Sequence, residues 1–141
     1  MTDAEHDDIV AALNVLLEAE RAGVRVARAT RQAATEPALA DFMLGIEKDE
    51  AHWCGMLSGR IAALGGTPSE VCGDFYEKAM AIPAVENRLR FLNRGQAWVV
   101  RKLEALLGQI PAGDLHDALR EMTDSHTVNI AATDAFVAGM P

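Results

Sequence analysis

The sequence contains few aromatic residues and few cysteines. Phe, Trp and Tyr make up 5% of the 141 residues, and the cysteines are Cys54 and Cys72. This number excludes a disulfide framework, the spacing is not that of a metal site, and no basic residue near Cys72 in the sequence would activate its thiol. No apolar run approaches the ~20 residues that span a bilayer, and the acidic N-terminus is unlike a signal peptide. We therefore expect a cytoplasmic protein that does not bind membranes.

Basic residues are also scarce. The 13 Lys and Arg residues are outnumbered by 21 Asp and Glu residues, which gives a formal net charge of −8. This balance argues against binding to nucleic acid. Half of the residues are hydrophobic, and Ala and Leu dominate, a composition that favours helices over strands. We expect one all-α domain over residues 1–141, long enough to bury a core.

Helical periodicity predicts four long helices, over residues 4–33, 37–64, 84–107 and 115–137. Prolines and glycines mark the breaks between them. The connector, residues 65–83, is predicted to contain one or two short helical turns around 74–81. Long helices joined in pairs by short links pack as antiparallel hairpins. The pattern therefore predicts a four-helix bundle made of two hairpins, and it leaves open whether the connector crosses the bundle or turns at one end.

One polar residue interrupts each apolar stripe, and the four are Glu20, Glu50, Gln96 and His126. Each lies three or four positions from apolar residues, so it faces the core. Glu20 and Glu50 are each 15 residues from a turn at position 35, and Gln96 and His126 are each 15 from a turn at position 111. At 1.5 Å per residue, all four lie roughly 22 Å from a turn. We therefore expect one polar layer at mid-height.

The flanks of the first and third predicted helices carry further patterns. Val24 is expected inward, whereas the back of the first helix carries Val15, Ala22, Val26 and Ala29, and the back of the third carries Phe91 and Trp98. Apolar residues on an outer surface need a cover, either the connector or a second subunit, and we expect a homodimer through these two backs. The arginines at positions 21, 25, 28 and 31 are expected to form a solvated, salt-bridged face.

The two mid-height glutamates of the first hairpin and their partial repeat in the second resemble the ferritin-like superfamily, whose dimetal members place Glu and Glu-x-x-His in each half. Three phrases also resemble a group of small bacterial ferritin-like domains of unassigned function. They are Leu-Leu-Glu-Ala-Glu-Arg-Ala-Gly, Gly-Asp-Phe-Tyr-Glu-Lys-Ala and Phe-Leu-Asn-Arg-Gly-Gln-Ala-Trp. The resemblance covers nearly the whole chain and implies a ferritin-like four-helix bundle.

The ligand pattern that the resemblance implies is only partly present. Glu20 and Glu50 match the carboxylates of the first two helices, but Trp53 stands where the pattern has histidine. Gln96 replaces a carboxylate, and His126 and Asn129 stand where the fourth helix has Glu and His. Two carboxylates, an imidazole and an amide suit a single divalent ion, iron, manganese or zinc. An oxidoreductase acting on oxygen or peroxide is one function this implies, and a chain without any cofactor is equally compatible.

Several alternatives follow from the residues themselves. Two buried carboxyl groups cannot both stay ionised without compensation, which a metal, a protonated His126 or a raised pKa of one glutamate would supply. The layer would otherwise be a vestigial hydrogen-bonded network in a non-catalytic structural or partner-binding bundle. A shifted register would instead offer Glu47 or Glu121, which both point away from the stripe centres, while His52 is expected at the surface.

Overall fold

Five α-helices make up the structure, a computed structural model that describes residues 2–141. They are α1 (Asp3–Ala33), α2 (Pro37–Ala63), α3 (Phe75–Met80), α4 (Val85–Leu107) and α5 (Asp114–Ala138). The four long helices begin and end within one residue of the ranges that periodicity predicts, and α3 lies inside the predicted connector. Within the described residues there is no strand, and no helix there is long and apolar enough to cross a membrane.

Local sequence signals explain where the helices begin and end. Thr2 and Glu5 form a capping box at the start of α1, in which each side chain bonds the backbone N–H of the other. Pro37 occupies the first turn of α2, where its missing N–H costs nothing. Gly65 follows α2 with φ +81°, a left-handed conformation that glycine adopts readily.

The chain divides into two compact units, one ending at Tyr76 and the other covering Glu77–Pro141. The first unit contains the hairpin of α1 and α2, and the second contains the hairpin of α4 and α5. The division falls within α3. Each unit is described by itself below, and one domain over residues 1–141 stays a prediction.

The first unit buries the apolar stripe that the sequence predicts, with one difference in α1. Leu13, Leu16 and Leu17 are fully buried. Val24, expected inward, is only half-buried, whereas Ala22 and Val26, expected on the back of the helix, are 0% and 1% exposed. The buried part of α1 is therefore wider than a single stripe, since a helix covered on two sides buries residues beyond its inward face.

The second unit has a more polar interior. Leu89, Leu92, Leu103, Leu119 and Met122 are fully or almost fully buried, but so is Asn93, whose Nδ2 donates to Ile130 O at 3.1 Å and to Asp134 Oδ1 at 2.8 Å. Ile130 itself is half-buried. The two bonds from Asn93 link α4 to α5.

A shared carboxylate links α1 to α2. Nε of Arg28 and Nε of Arg31 donate to the two carboxylate oxygens of Glu47, at 3.0 Å and 2.8 Å. The hydrogen bond from Arg31 is the main reason that the pKa of Glu47 lies below its usual range. Two of the four arginines expected on a solvated face therefore hold the hairpin together, and Glu47 is already paired.

Replacing Glu47 by Gln is expected to destabilise the protein by about 1–2 kcal/mol at pH 7. Charge-assisted hydrogen bonds contribute about 1.5–3 kcal/mol, and we reduce this because the side chains of Arg28 and Arg31 are 53% and 31% exposed and screened by solvent. Because the pKa of Glu47 is lowered in the folded state, its ionised form stabilises the fold at pH values above the unfolded pKa of 4.5. This stabilisation is lost as the pH falls through the folded-state pKa.

Urea unfolding of both proteins at neutral and acidic pH measures this effect, and the difference between them should shrink in acid. The matched control is Glu86→Gln, which breaks the exposed pair of Glu86 and Arg90 and should change stability by less than about 0.5 kcal/mol. An equal effect of the two substitutions would contradict the linking role of Glu47.

The connector runs along the length of α1. At its start, a Cβ on Gly66 would lie 2.6 Å from Cγ1 of Val10, so a larger residue would force the Val10 side chain to move. Further along, Asn14 Nδ2 donates to Thr67 O at 3.1 Å, and Asn14 Oδ1 accepts from the backbone N of Ser69 at 2.7 Å. The partners on α1 ascend from position 10 to position 25 as the connector proceeds, so up to Tyr76 it follows the helix and does not turn at one end.

Two arginines of α1 hold the later part of the connector. Arg21 donates to Val71 O at 2.7 Å. Arg25 donates to Cys72 Sγ at 3.0 Å, and its Cζ lies 4.0 Å from the centre of the Tyr76 ring, a cation–π distance. No basic residue lies near Cys72 in the sequence, but the folded chain brings Arg25 to it from 47 positions away.

Candidate functional site

Glu20 and Glu50 are the two buried carboxyl groups at the centre of the first unit. Each is 2% exposed, and each follows a buried residue of its helix by four positions, Leu16 on α1 and Ile46 on α2. Because residues four apart share a helix face, the same apolar contacts that pack α1 on α2 carry both glutamates into the interior. The structure thus brings together two of the four residues predicted for the polar layer.

The two carboxyl groups influence each other electrostatically. The pKa of Glu50 is raised well above its usual range, first by burial and then by the negative charges of Glu20 and Asp49. Its Oε2 atom has no hydrogen-bond partner among residues 2–141. A raised pKa of one glutamate is one of the three compensations that the sequence leaves open.

Gly23 makes room for the Glu50 carboxyl group. A Cβ atom at position 23 would lie within 2.7 Å of all three atoms of that carboxyl group, so a side chain there would displace it. Helical periodicity does not indicate this role. The available signal was a glycine inside a 31-residue helix, where it is unfavourable by roughly 0.5–1 kcal/mol relative to alanine, three positions after Glu20.

Trp53 and Cys54 follow Glu50 on α2. Trp53 is 7% exposed, and its Nε1 atom has no hydrogen-bond partner in the described part of the chain. Cys54 is half-buried. Burial, followed by the charges of Glu20 and Glu50, raises the pKa of its thiol to about 12 against an opposing effect of Arg21, so this thiol stays protonated at neutral pH.

The second unit holds the other two residues of the predicted layer. Gln96 on α4 is 3% exposed, and neither its Oε1 nor its Nε2 atom has a partner in residues 2–141. His126 on α5 is fully buried, and its Nδ1 lies 3.0 Å from the carbonyl oxygen of Met122. Because a carbonyl only accepts, Nδ1 carries the proton, and Nε2 of the neutral ring is the nitrogen with the lone pair.

Other candidate residues lie elsewhere. His52 is exposed, as predicted, and Glu121 is exposed as well. Glu47 is buried but paired with two arginines. A shifted register would therefore have to use a carboxylate that is already occupied or one in solvent. The common level of Gln96 and His126 with the two glutamates stays a prediction.

The donor atoms fit one ion better than two. Across residues 2–141, no three His, Cys, Asp or Glu side chains group in an arrangement able to hold a metal, and Trp53 and Gln96 replace an imidazole and a carboxylate of the dimetal pattern. The pair of Glu20 and Glu50 still offers carboxylate oxygens in a buried place, which iron and manganese accept. The residues do not supply the ligand set of a dimetal centre, and the two buried carboxyl groups are the donors that remain for one divalent ion.

A solved structure shares the fold. It is the crystal structure of ferritin like, diiron-carboxylate proteins from Bacillus anthracis str. Ames, with a TM-score of 0.84 and 18% sequence identity over 97% of this chain and 99% of that one. At this identity the likeness shows the fold alone. The chain thus has a ferritin-like, all-α fold, and the predicted fold class is confirmed.

Sequence comparison identifies the family. No curated protein matches the chain. A family profile described as "Domain of unknown function (DUF6306)" matches residues 7–135. Together with the fold, this match confirms the resemblance to ferritin-like domains of unassigned function. Since the profile covers most of the sequence, the chain belongs to the DUF6306 family.

Proposed function

We propose that this protein binds one divalent metal ion, iron, manganese or zinc, through the carboxyl groups of Glu20 and Glu50. One observation carries the proposal. Two carboxyl groups, each 2% exposed, interact in the interior, and an oxygen of Glu50 has no partner in the described residues. A cation would compensate both charges and occupy that oxygen, whereas two buried carboxylates alone repel each other.

Among the described residues no three His, Cys, Asp or Glu side chains group to hold a metal, so Gln96 and His126 are proposed as further ligands on the sequence pattern. The hydrogen bond from Nδ1 of His126 to Met122 O resembles the arrangement of metal-binding histidines, whose second nitrogen donates to a carbonyl and so fixes the ring. The Gln96 amide, buried and unpaired within residues 2–141, offers a neutral oxygen. A bound ion of this kind supplies a positive charge and, for iron or manganese, a redox centre. The chain's own contribution is to orient the ligands and keep them from solvent.

Calorimetric titration of the metal-free protein with zinc tests the proposal, since zinc has no redox chemistry to complicate it. We expect one ion per chain. Glu20→Ala should weaken binding by more than about 100-fold, because the loss of outer partners alone costs about 10–100-fold. Titrations with manganese and, under anaerobic conditions, with ferrous iron would then rank the affinities of the three ions.

Three variants complete the test. His126→Ala and Gln96→Ala should weaken zinc binding if these residues are ligands, while Glu121→Gln, an exposed carboxyl group on α5, should leave it unchanged. If the wild-type protein takes up no more zinc than Glu20→Ala, there is no metal site at the pair.

The alternative, a vestigial hydrogen-bonded layer in a structural or partner-binding bundle, has less support. Such a network should give each of its polar atoms a hydrogen-bond partner, yet Gln96 and Glu50 Oε2 have no partners among the described residues.

A homodimer and a cytoplasmic location remain predictions. Phe91 and Trp98, the residues of α4 on which the dimer prediction depends, are half-buried. Arg94 lies 5.6 Å from the centre of the Phe91 ring, and Lys102 lies 5.4 Å from the centre of the Trp98 ring.

A further inference from the structure

Trp53 presents a buried N–H group whose bonding the protein leaves incomplete. The residue is 7% exposed, and among residues 2–141 no atom accepts a hydrogen bond from its Nε1. Buried polar groups in native proteins are nearly always bonded, to protein or to an ordered water. The acceptor for this indole is therefore expected to be a molecule other than the chain itself.

The candidate for the second partner of such a molecule is the Glu50 carboxyl group. Glu50 precedes Trp53 by three positions on α2, and residues so spaced have Cβ atoms about 5–6 Å apart on one helix face. Oε2 of Glu50 is likewise buried without a partner in the described chain. A single small molecule that both donates and accepts could bond the indole and the carboxyl group together, as buried waters commonly do.

Chemistry and charge restrict the class of this molecule. An indole N–H only donates, so Trp53 cannot bind a metal as the histidine of the dimetal pattern does, and its partner must carry an acceptor atom. An anion would be disfavoured beside two acidic side chains, Glu20 and Glu50, in a region that solvent does not reach. A neutral molecule with a hydroxyl group, water above all, meets both requirements.

We infer that Trp53 and Glu50 form a binding site for one water molecule, with Trp53 as a positioning residue beside the carboxylate pair. The inference uses the same pair as the proposed function but does not need a metal to be bound. It assigns position 53 a role that departs from the dimetal pattern. The tryptophan holds a water molecule next to Glu50, and the carboxyl groups would coordinate a metal.

Nuclear magnetic resonance of the whole chain, labelled with nitrogen-15 in its tryptophans, tests the site. The protein has two tryptophans, so it gives two indole N–H signals, and Trp98→Phe assigns them. We expect the Trp53 signal to show a cross-peak to a long-lived water molecule and to shift in Glu50→Gln. In Glu121→Gln it should stay in place, and half-buried Trp98 is the internal control for exchange with bulk water.

Absence of a water cross-peak at Trp53 would overturn the inference, and so would a cross-peak that Glu50→Gln leaves unmoved, because the water would then lie elsewhere. Zinc titration of the same sample separates the two proposals. Failure of zinc to bind, with the cross-peak present, rejects the metal site and supports the water site. Zinc binding without the cross-peak supports the metal site and rejects the water site.

Discussion

Glu50→Gln is expected to abolish zinc binding and to remove a pH-dependent loss of stability from the metal-free protein. In the wild type, burial and the charge of Glu20 favour the neutral Glu50 carboxyl group, and raising the pH forces that group to ionise inside the fold. An amide of the same shape cannot ionise. The variant keeps the packing but lacks one charged ligand.

The direction of the pH effect follows from the raised pKa. Below the unfolded value of 4.5, both states carry the proton and the stabilisation is complete. Above it, the unfolded chain releases the proton while the folded chain retains it, so stability falls by about 1.4 kcal/mol per pH unit until the folded-state pKa is passed. The metal-free variant should not show this decline, and it should be the more stable protein at pH 7.

Chemical denaturation from acidic to neutral pH, with and without zinc, measures both effects. Zinc should stabilise the wild type, since a ligand that binds only the folded state adds to its stability, and it should leave Glu50→Gln unchanged, with an affinity loss of more than about 100-fold. Glu121→Gln is the matched control for removing one negative charge. A Glu50→Gln protein that binds zinc as tightly as the wild type would refute the assignment of Glu50 as a ligand.

Gly23→Ala should weaken metal binding by more than about tenfold and change stability by less than about 1 kcal/mol. The added Cβ would lie within 2.7 Å of the Glu50 carboxyl atoms, so the end of that side chain must move away from α1. The movement has a cost, but alanine is better than glycine inside a helix by about 0.5–1 kcal/mol, and the two effects oppose each other. The main expected change is therefore in the geometry of the Glu20 and Glu50 carboxyl groups, which weakens metal binding.

The matched control is Gly59→Ala on α2. This glycine is exposed and helical, and no atom lies within 4 Å of an added Cβ. It should therefore gain about 0.5–1 kcal/mol of stability and bind zinc as the wild type does. Thermal unfolding and zinc calorimetry of both variants give the comparison. Equal zinc affinities of the two alanine variants would show that Gly23 does not shape the site.

Periodicity predicts the helices well because each has a long apolar stripe and clear breaks, such as Pro37 and Gly65. The same reasoning identified Glu20 and Glu50, since a charged residue in the middle of a stripe is anomalous. It failed for Ala22 and Val26 because a helix pattern indicates which side is most apolar and does not tell how many sides are covered. Small residues like these are compatible with either face.

The sequence could not reveal features that depend on long-range approach. Arg25 and Cys72 are 47 positions apart, and Asn14 and Thr67 are 53 apart, so no local spacing announces their contacts. The angle of Glu47 from the stripe centre points it away from the core, but long arginine side chains on α1 reach it there. Angle alone is a poor guide where the partner is a flexible cation.

The contacts along the connector have a consequence for how this family can vary. Asn14 and Arg21 bond backbone atoms of Thr67, Ser69 and Val71 and not their side chains. Substitutions in this stretch therefore leave those bonds intact, provided that the chain path is kept. We expect the connector sequence to change quickly in evolution and the α1 positions that bond it, Asn14 and Arg21, to change slowly. A conserved asparagine and arginine on α1 would then identify relatives whose connectors have different sequences.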